Sequence, residues 1–341
     1  MIATVLKEYG FNIIDCDVQS FGSGLINRTW TVIKANEKFI LQRINQQIFK
    51  QPEYIAHNIR LVADYLYKNF QEYLFVAPVK TISGGDIVVI SDEGYFRMFP
   101  FVKNSHTLDV VTNTQQAYEA ARQFGAFTKK LSGLNVEKLK ITLPDFHNLS
   151  LRYRQFEEAL ANGNQQRIEA AAEIVGSLKK HKNIVDQFEI IKADPDFKLR
   201  VMHHDTKISN VLFDANDKGL CVIDLDTIMP GYFISDVGDM LRTYLSPASE
   251  EEKDIDKVVV RLDYLNAIKE GYLSQMNDEL TEKEKQQFIY AGKFMIYMQT
   301  LRFLTDHLNN DIYYGAKYEG HNLVRAKNQL TLLEKLEEKI F

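Results

Sequence analysis

Apolar and polar positions change rhythm twice along this chain. "MIATVLKEYG" spaces its apolar residues as a helix does and stops at Gly10, a residue suited to a helix end. Further on, "NRTWTVIK" and "KFILQRI" alternate with a period of two, and the short "ANE" between them predicts a hairpin. "IFKQPEYIAHNIRLVADYLYKNF" returns to helical spacing, with Pro52 tolerated near the first turn. "DIVVISDEGYFRMFPFV" predicts two more strands joined at "SDEG". Beyond "FPFVKNSH" the helical period dominates: in "QQAYEAARQFGAFTKKL", Ala117, Ala121, Phe124, Phe127 and Leu131 share one face. "RYRQFEEALA" and "RIEAAAEIVGSLKKHKNIVDQF" continue the pattern, and "NLVRAKNQLTLLEKLEEKIF" ends it with Leu323, Leu330, Leu333 and Ile340 on one stripe. One short strand pair, "VLFD" and "CVIDLD", interrupts these helices. The pattern predicts an α+β chain of two lobes, β-rich over residues 1–99 and helical over residues 100–341.

Bulk numbers narrow the class without changing that outline. A chain of 341 residues exceeds one small core, and 45% hydrophobic with 26% charged residues describes an ordinary globular protein. A net charge of −5, without a cluster of Lys and Arg, argues against nucleic acid as a partner. Cys16 and Cys221 are too few for a disulfide framework or a zinc site, and neither sits where a reactive thiol of a hydrolase would. The first residues lack the basic-then-apolar layout of a signal peptide, and no apolar run reaches membrane-spanning length. The expectation is a cytoplasmic protein with small-molecule partners and no membrane.

Candidate chemistry concentrates in "MHHDTKISNVLFD" and the following "IDLDT". Asp205 and Asn210 stand five residues apart just before one strand, and the next strand ends on Asp224. A hairpin of the two strands brings Asn210 and Asp224 to the same end, with Asp205 close by. Phosphoryl transfer needs this set: a carboxylate to orient the attacking hydroxyl and hard oxygen ligands for magnesium on the phosphates of ATP. Asp and Asn also shape turns, but an ordered set of three on adjoining strands is more than turn chemistry requires.

"HHDTKISNVLF", "VIDLDTIMPG" and "SDVGDMLR" resemble the aminoglycoside phosphotransferase and choline kinase group. With "FGSGLINRTW", "FILQRIN", "YFRMFPFV", "LPDFHNLSLRYRQF" and "LRFLTDHLNNDIYY", the likeness narrows to the N-acetylhexosamine 1-kinases and covers almost the whole chain. It implies a bilobal, protein-kinase-like fold, ATP and magnesium as cofactors, and an amino sugar phosphorylated at its anomeric hydroxyl. By position it implies Asp205 as catalytic base, Asn210 and Asp224 as magnesium ligands, His203 as a brace of the loop and Asp236 as its buried tether. Asp226 is either a metal neighbour or a turn former, and His204 carries no assigned role. A helix cap is the plain alternative for Asp236.

Gly22, Ser23 and Gly24 form the turn that would cover the phosphates, although the chain has no P-loop. In kinases the next strand supplies a cation; Arg43 is the choice over Gln42 because a neutral amide cannot offset phosphate charge, and Glu53 is its expected ion-pair partner. On the acceptor side Arg302 and Asp306 stand at i and i+4, an ordinary intrahelical ion pair if taken alone. The resemblance assigns Arg302 and Tyr313 to sugar recognition, with His147, Asn148 and Arg152 as further candidates. Where the hexosamine kinases carry a His in the glycine-rich turn, this chain has Leu25. Choline, homoserine, a thio-sugar or an aminoglycoside are the alternative acceptors, and an inactive nucleotide-binding protein is the alternative class.

Overall fold

The computed structural model describes residues 1–22 and 26–340. Helix α1 (Ile2–Glu8) leads into an antiparallel sheet of β1 (Cys16–Ser20), β2 (Arg28–Lys34), β3 (Glu37–Arg43), β4 (Val88–Ile90) and β5 (Gly94–Pro100), in the order β1-β2-β3-β5-β4. Lys34 pairs with Glu37, so Ala35 and Asn36 alone make the turn, and Ala35 takes the positive φ of 52° that such tight hairpins favour. Alternation then sorts the side chains. Val32, Leu41, Phe96 and Met98 fall on one face and form a small core with Val5 and Leu6 of α1. The opposite face of the sheet carries Thr29, Ile40, Gln42 and Arg97 into a cleft.

Helix α2 (Pro52–Asn69) lies between β3 and β4 in sequence, yet its stripe of Ile55, Ile59, Val62 and Leu66 belongs to the larger core of the helical region. Asn58 shows why the helix is fixed there. It is fully buried, donates to the carbonyls of Lys140 (2.8 Å) and Ile228 (2.7 Å), and accepts from Lys140 N. A buried amide must be satisfied, and only this docking satisfies it.

The helical region opens with α3 (Thr114–Lys130), α4 (Leu149–Asn162), α5 (Gln165–Ala170), α6 (Ala172–Lys180) and α7 (Asn183–Ala193). Two small ladders follow: β6 (Arg200–Met202) with β9 (Met229–Gly231), and β7 (Val211–Phe213) with β8 (Gly219–Val222). Helices α8 (Phe233–Tyr244), α9 (Leu262–Met276), α10 (Glu282–Gln286), α11 (Phe288–Leu308) and α12 (His321–Ile340) complete it. Along α11, Phe294, Ile296, Tyr297, Met298, Leu301 and Phe303 are all buried, so this helix is apolar on every side and forms the axis of the core. Gly271 of α9 lets that helix approach α3 closely, because a Cβ there would collide with the Tyr118 carbonyl. Among the described residues no helix is long and apolar enough to cross a membrane.

The strand that enters the polar loop is anchored by a buried ion pair. Arg200 of β6 donates to both oxygens of Glu284 (2.6 and 2.9 Å), and Glu284 also accepts from Lys198 N and Thr281 N. Neither side chain is more than 7% exposed. Removing one partner strands the other charge away from water. Glu284→Ala is therefore expected to cost about 3–5 kcal/mol of stability, read as a lowered midpoint in urea, whereas Glu282→Ala on the exposed side of α10 stays within about 0.5 kcal/mol.

Candidate active site

The polar loop between β6 and β7 is held from below by α8. His203 N and His204 N donate to the two oxygens of Asp236 (3.1 and 2.7 Å), and Thr206 N donates to Asp239 (2.8 Å). The Tyr244 hydroxyl donates to the Thr206 carbonyl, and Thr227 Oγ1 donates to that of His203. His203 is buried against the edge of Phe124, and its Nε2 donates to the Ile223 carbonyl at 2.9 Å. Burial keeps its pKa below the usual histidine value, and a neutral ring leaves Nδ1 free to accept from Asp205 N at 3.4 Å. His204 has φ of 67°, and Gly231 leaves the room its ring takes.

So braced, the loop presents its chemistry on one side. The β7–β8 hairpin closes with Ile223 N on the Asn210 carbonyl (2.8 Å), which sets Asn210 beside Asp224 as the strand pattern requires. Asn210 Nδ2 donates to the Asp205 carbonyl (2.8 Å), and the amide oxygen is thereby left for the cleft. Lys207, which sequence reasoning passed over, places Nζ 2.9 Å from Asp205 Oδ2 and 4.0 Å from Asp224 Oδ2. Burial alone would raise the Asp205 carboxyl, but Lys207, His203 and Asn210 outweigh it and hold it below the usual range. It is an ionised acceptor at neutral pH.

Asp224 stands opposite in character. Its φ of 60° is rare for a residue with a side chain, a conformation that the surrounding hairpin imposes. Although 39% exposed, its carboxyl sits at the bottom of a deep cleft, where desolvation first, then Asp226 and Asp205, push it up to about 7. A divalent cation would relieve that repulsion. Among the described residues no three His, Cys, Asp or Glu side chains converge into a cage. Two hard oxygens, Asn210 Oδ1 and the Asp224 carboxylate, instead suit magnesium, which completes its shell with water and phosphate.

Above this floor lies a cleft of about 510 Å³, walled by Ile40, Gln42, Arg97 and Phe99 of the sheet, by Pro100 to Val102, and by Asn210, Leu212 and Asp224. Gly22 lies on its rim, while Ser23, Gly24 and Leu25 lie outside the described residues. Arg43 does not enter the cleft. Pleating puts it on the face of Leu41 and Phe96, its guanidinium 5.9 Å from the Phe96 ring, in a recess with Arg28, Asn45 and Gln46. Gln42 faces the cleft instead. Glu53 is likewise elsewhere: exposed on the first turn of α2, it accepts from the Tyr95 hydroxyl at 2.6 Å. The cation of this wall is Arg97, fully buried and ion-paired with Asp226 at 2.5 Å. The alternating "YFRMF" carried that signal, a charge among apolar strand positions.

On the other side of the loop, Arg302 stands over the rings of Tyr313 (5.9 Å) and Tyr314 (5.5 Å) and donates to Gln299. It does not pair with Asp306. That carboxylate is 4% exposed and already accepts from Tyr313 N, Tyr314 N and Asn322 Nδ2, so it shapes the loop that carries the tyrosines. His147 Nδ1 and His204 Nδ1 share the Ser235 hydroxyl, and burial holds both rings neutral. Asn148 is spent as the cap of α4. Arg152 donates to the Asp145 carbonyl (2.9 Å) and Gln155; burial and the nearby Arg302 charge lower its pKa.

The profile of the phosphotransferase enzyme family matches residues 17–258. Solved structures share the whole fold at low identity. An aminopropanol kinase associated with a microcompartment aligns over 99% of this chain and 96% of its own, with TM-score 0.65 and 15% identity. An aminoglycoside phosphotransferase from Alicyclobacillus acidocaldarius aligns over 99% and 95%, with TM-score 0.64 and 13% identity. The amicoumacin kinase hAmiN, in complex with AMP-PNP, Ca2+ and Ami, aligns over 98% and 93%, with TM-score 0.64 and 14% identity. With its β-sheet region, helical region and Asp205–Asn210–Asp224 loop, the chain belongs to the phosphotransferase enzyme family.

Proposed function

We propose that this phosphotransferase transfers the γ-phosphoryl group of ATP to the anomeric hydroxyl of an N-acetylhexosamine, giving the 1-phosphate. The observation that carries the reading is that Asn210 and Asp224 line one cleft while Lys207 joins Asp224 to Asp205 beside it. Asp205, ionised and fixed by the braced loop, orients the sugar hydroxyl and takes its proton as the new O–P bond forms and the bond to ADP breaks. Lys207 lies between the two carboxylates, where it would meet charge spread over the transferring oxygens. Magnesium held by Asn210 and Asp224 would supply neutralisation of the nucleotide phosphates. The nucleotide analogue and divalent ion bound by hAmiN support that use of the cleft.

Charge supports the acceptor class. Arg152, Arg242 and Arg302 all act on His147 from the acceptor side: Arg242 is paired with Asp239 and Glu250, Asp145 acts on Arg152, and among the described residues Arg302 donates to the neutral Gln299. Such a surface repels a quaternary ammonium or a polyamine and favours a neutral, hydroxyl-rich ring stacked near Tyr313. Guanidinium and imidazole groups there can hydrogen-bond sugar hydroxyls in fixed directions.

An ATP-consumption assay with magnesium against GlcNAc, GalNAc, choline and homoserine is expected to show turnover with the amino sugars, and phosphorus NMR to show coupling of the new phosphate to the anomeric proton. Turnover with choline alone would discard the sugar assignment. Asp205→Asn should keep ATP affinity within about twofold while lowering kcat by about 10²–10⁴. Arg302→Ala should raise the KM for the sugar about tenfold or more and leave that for ATP unchanged; equal changes in both would remove Arg302 from the acceptor site.

A further inference from the structure

A kinase-type phosphate site has a lysine on the third strand, the second one after the glycine-rich turn. Here Lys38 of β3 is spent at the far end of the cleft face, over the rings of Phe21 and Phe101, and at the end near Asp224 Gln42 occupies the cleft-facing position while Arg43 faces away. The neighbouring strand supplies one in a different place. Arg97 lies directly across from Gln42 in the β3–β5 register. Its Nε and Nη2 donate to Gln42 Oε1 at 3.1 and 2.9 Å, and its Nη1 lies 2.5 Å from Asp226 Oδ1.

The chemistry of these groups fixes the amide's orientation. A guanidinium has donors and no acceptor, so the Gln42 atom that faces it must be the oxygen. The Gln42 NH2 is then turned away from Arg97, on a side chain that lines the cleft. Arg97 is itself only 2% exposed, too deep to be the primary contact of a ligand, whereas Gln42 is half-buried and lines the wall. Two donors on one carbonyl oxygen, both from a cation, polarise the amide and strengthen its outward N–H groups. Asp226 balances the guanidinium, and its other oxygen accepts from Asn27 Nδ2 at 2.8 Å. Asn27 Oδ1 accepts in turn from Asn45 N, next to the end of β3. Asn27, β3, β5 and the segment after Asp224 therefore meet on a single buried ion pair.

We propose that Gln42 donates from its amide to the nucleotide phosphates in place of the usual lysine, with Arg97 and Asp226 as the positioning residues that orient and polarise it. This assignment rests on the kinase reading. It makes the sheet's contribution to phosphate binding a directed dipole over a neutral ion pair, leaving net positive charge to Lys207 and the metal. The Asn27–Asp226 bond ties the start of β2 to the segment that follows Asp224.

Gln42→Glu separates this role from bracing. Glutamate has the same shape and still accepts both Arg97 bonds, but turns an acceptor toward the phosphates. Calorimetric titration of the full chain with ADP and magnesium, and with adenosine, reads the difference. For Gln42→Glu the expected result is ADP affinity weaker by about 10- to 100-fold, with adenosine affinity unchanged within about twofold. Gln42→Leu should weaken ADP about tenfold, and adding Arg97→Met to it should weaken ADP less than threefold further, because the polariser acts only through the amide. Unchanged ADP affinity in Gln42→Glu, or ADP and adenosine weakened in step, would overturn the assignment. Wild-type protein that binds neither nucleoside nor nucleotide would overturn the kinase reading beneath it.

Discussion

The Asp236 carboxylate under the His203–His204 peptide is the constraint on which the active site depends. It is fully buried, and burial pushes its pKa up to about 7, opposed by the amides of His204 and His203. Two backbone N–H groups aimed at one buried carboxylate fix the loop's path before any ligand arrives. Asp239 and Tyr244, one and two turns further along α8, hold Thr206 in the same way. The result is a loop whose interior polar groups are satisfied by the helix, so that Asn210 is left to line the cleft with Asp205 and Lys207 paired beside it. A site whose geometry is fixed in advance loses little to ordering when charge develops on the phosphates.

The same economy of buried charge recurs across the cleft. Arg97 and Asp226, both buried, form one connected network with the half-buried Gln42 and Asn27, linking β3 and β5 to the segment after Asp224. Buried pairs of this kind add little net stability, because desolvation cancels much of the attraction, but they permit few alternative arrangements. Asn58 acts similarly for α2. A single amide bonded to Lys140 and Ile228 joins a helix of the N-terminal segment to the core of the helical region.

Much of this was legible from residue order. The switch from period two to period 3.6 marks where the sheet gives way to helices, and the β7–β8 hairpin follows from two short apolar runs around a turn. That hairpin is enough to bring Asn210 and Asp224 together, because strand pairing converts sequence spacing into proximity. Lys207 was equally visible, two residues from Asp205, but a lysine near a carboxylate is so common that local sequence gives it no distinction.

Long-range placement was another matter. Whether Gln42 or Arg43 faces the cleft turns on which face of β3 the core occupies, and a one-residue change of parity inverts every side chain. Arg302 and Asp306 have helical spacing for an ion pair, yet the buried Asp306 carboxylate finds its donors in Tyr313 N, Tyr314 N and Asn322 instead. Asp226 meets Asn27 across 199 residues of chain, and no local pattern encodes such a meeting. The sequence by itself determined the main elements, set by periodicity, and its motifs carried the resemblance to the family; short spacing kept Asp205, Lys207 and Asn210 on one loop. Tertiary structure alone decided which polar groups are consumed in holding the fold and which remain free to act, because that depends on the partners each group finds once water is excluded.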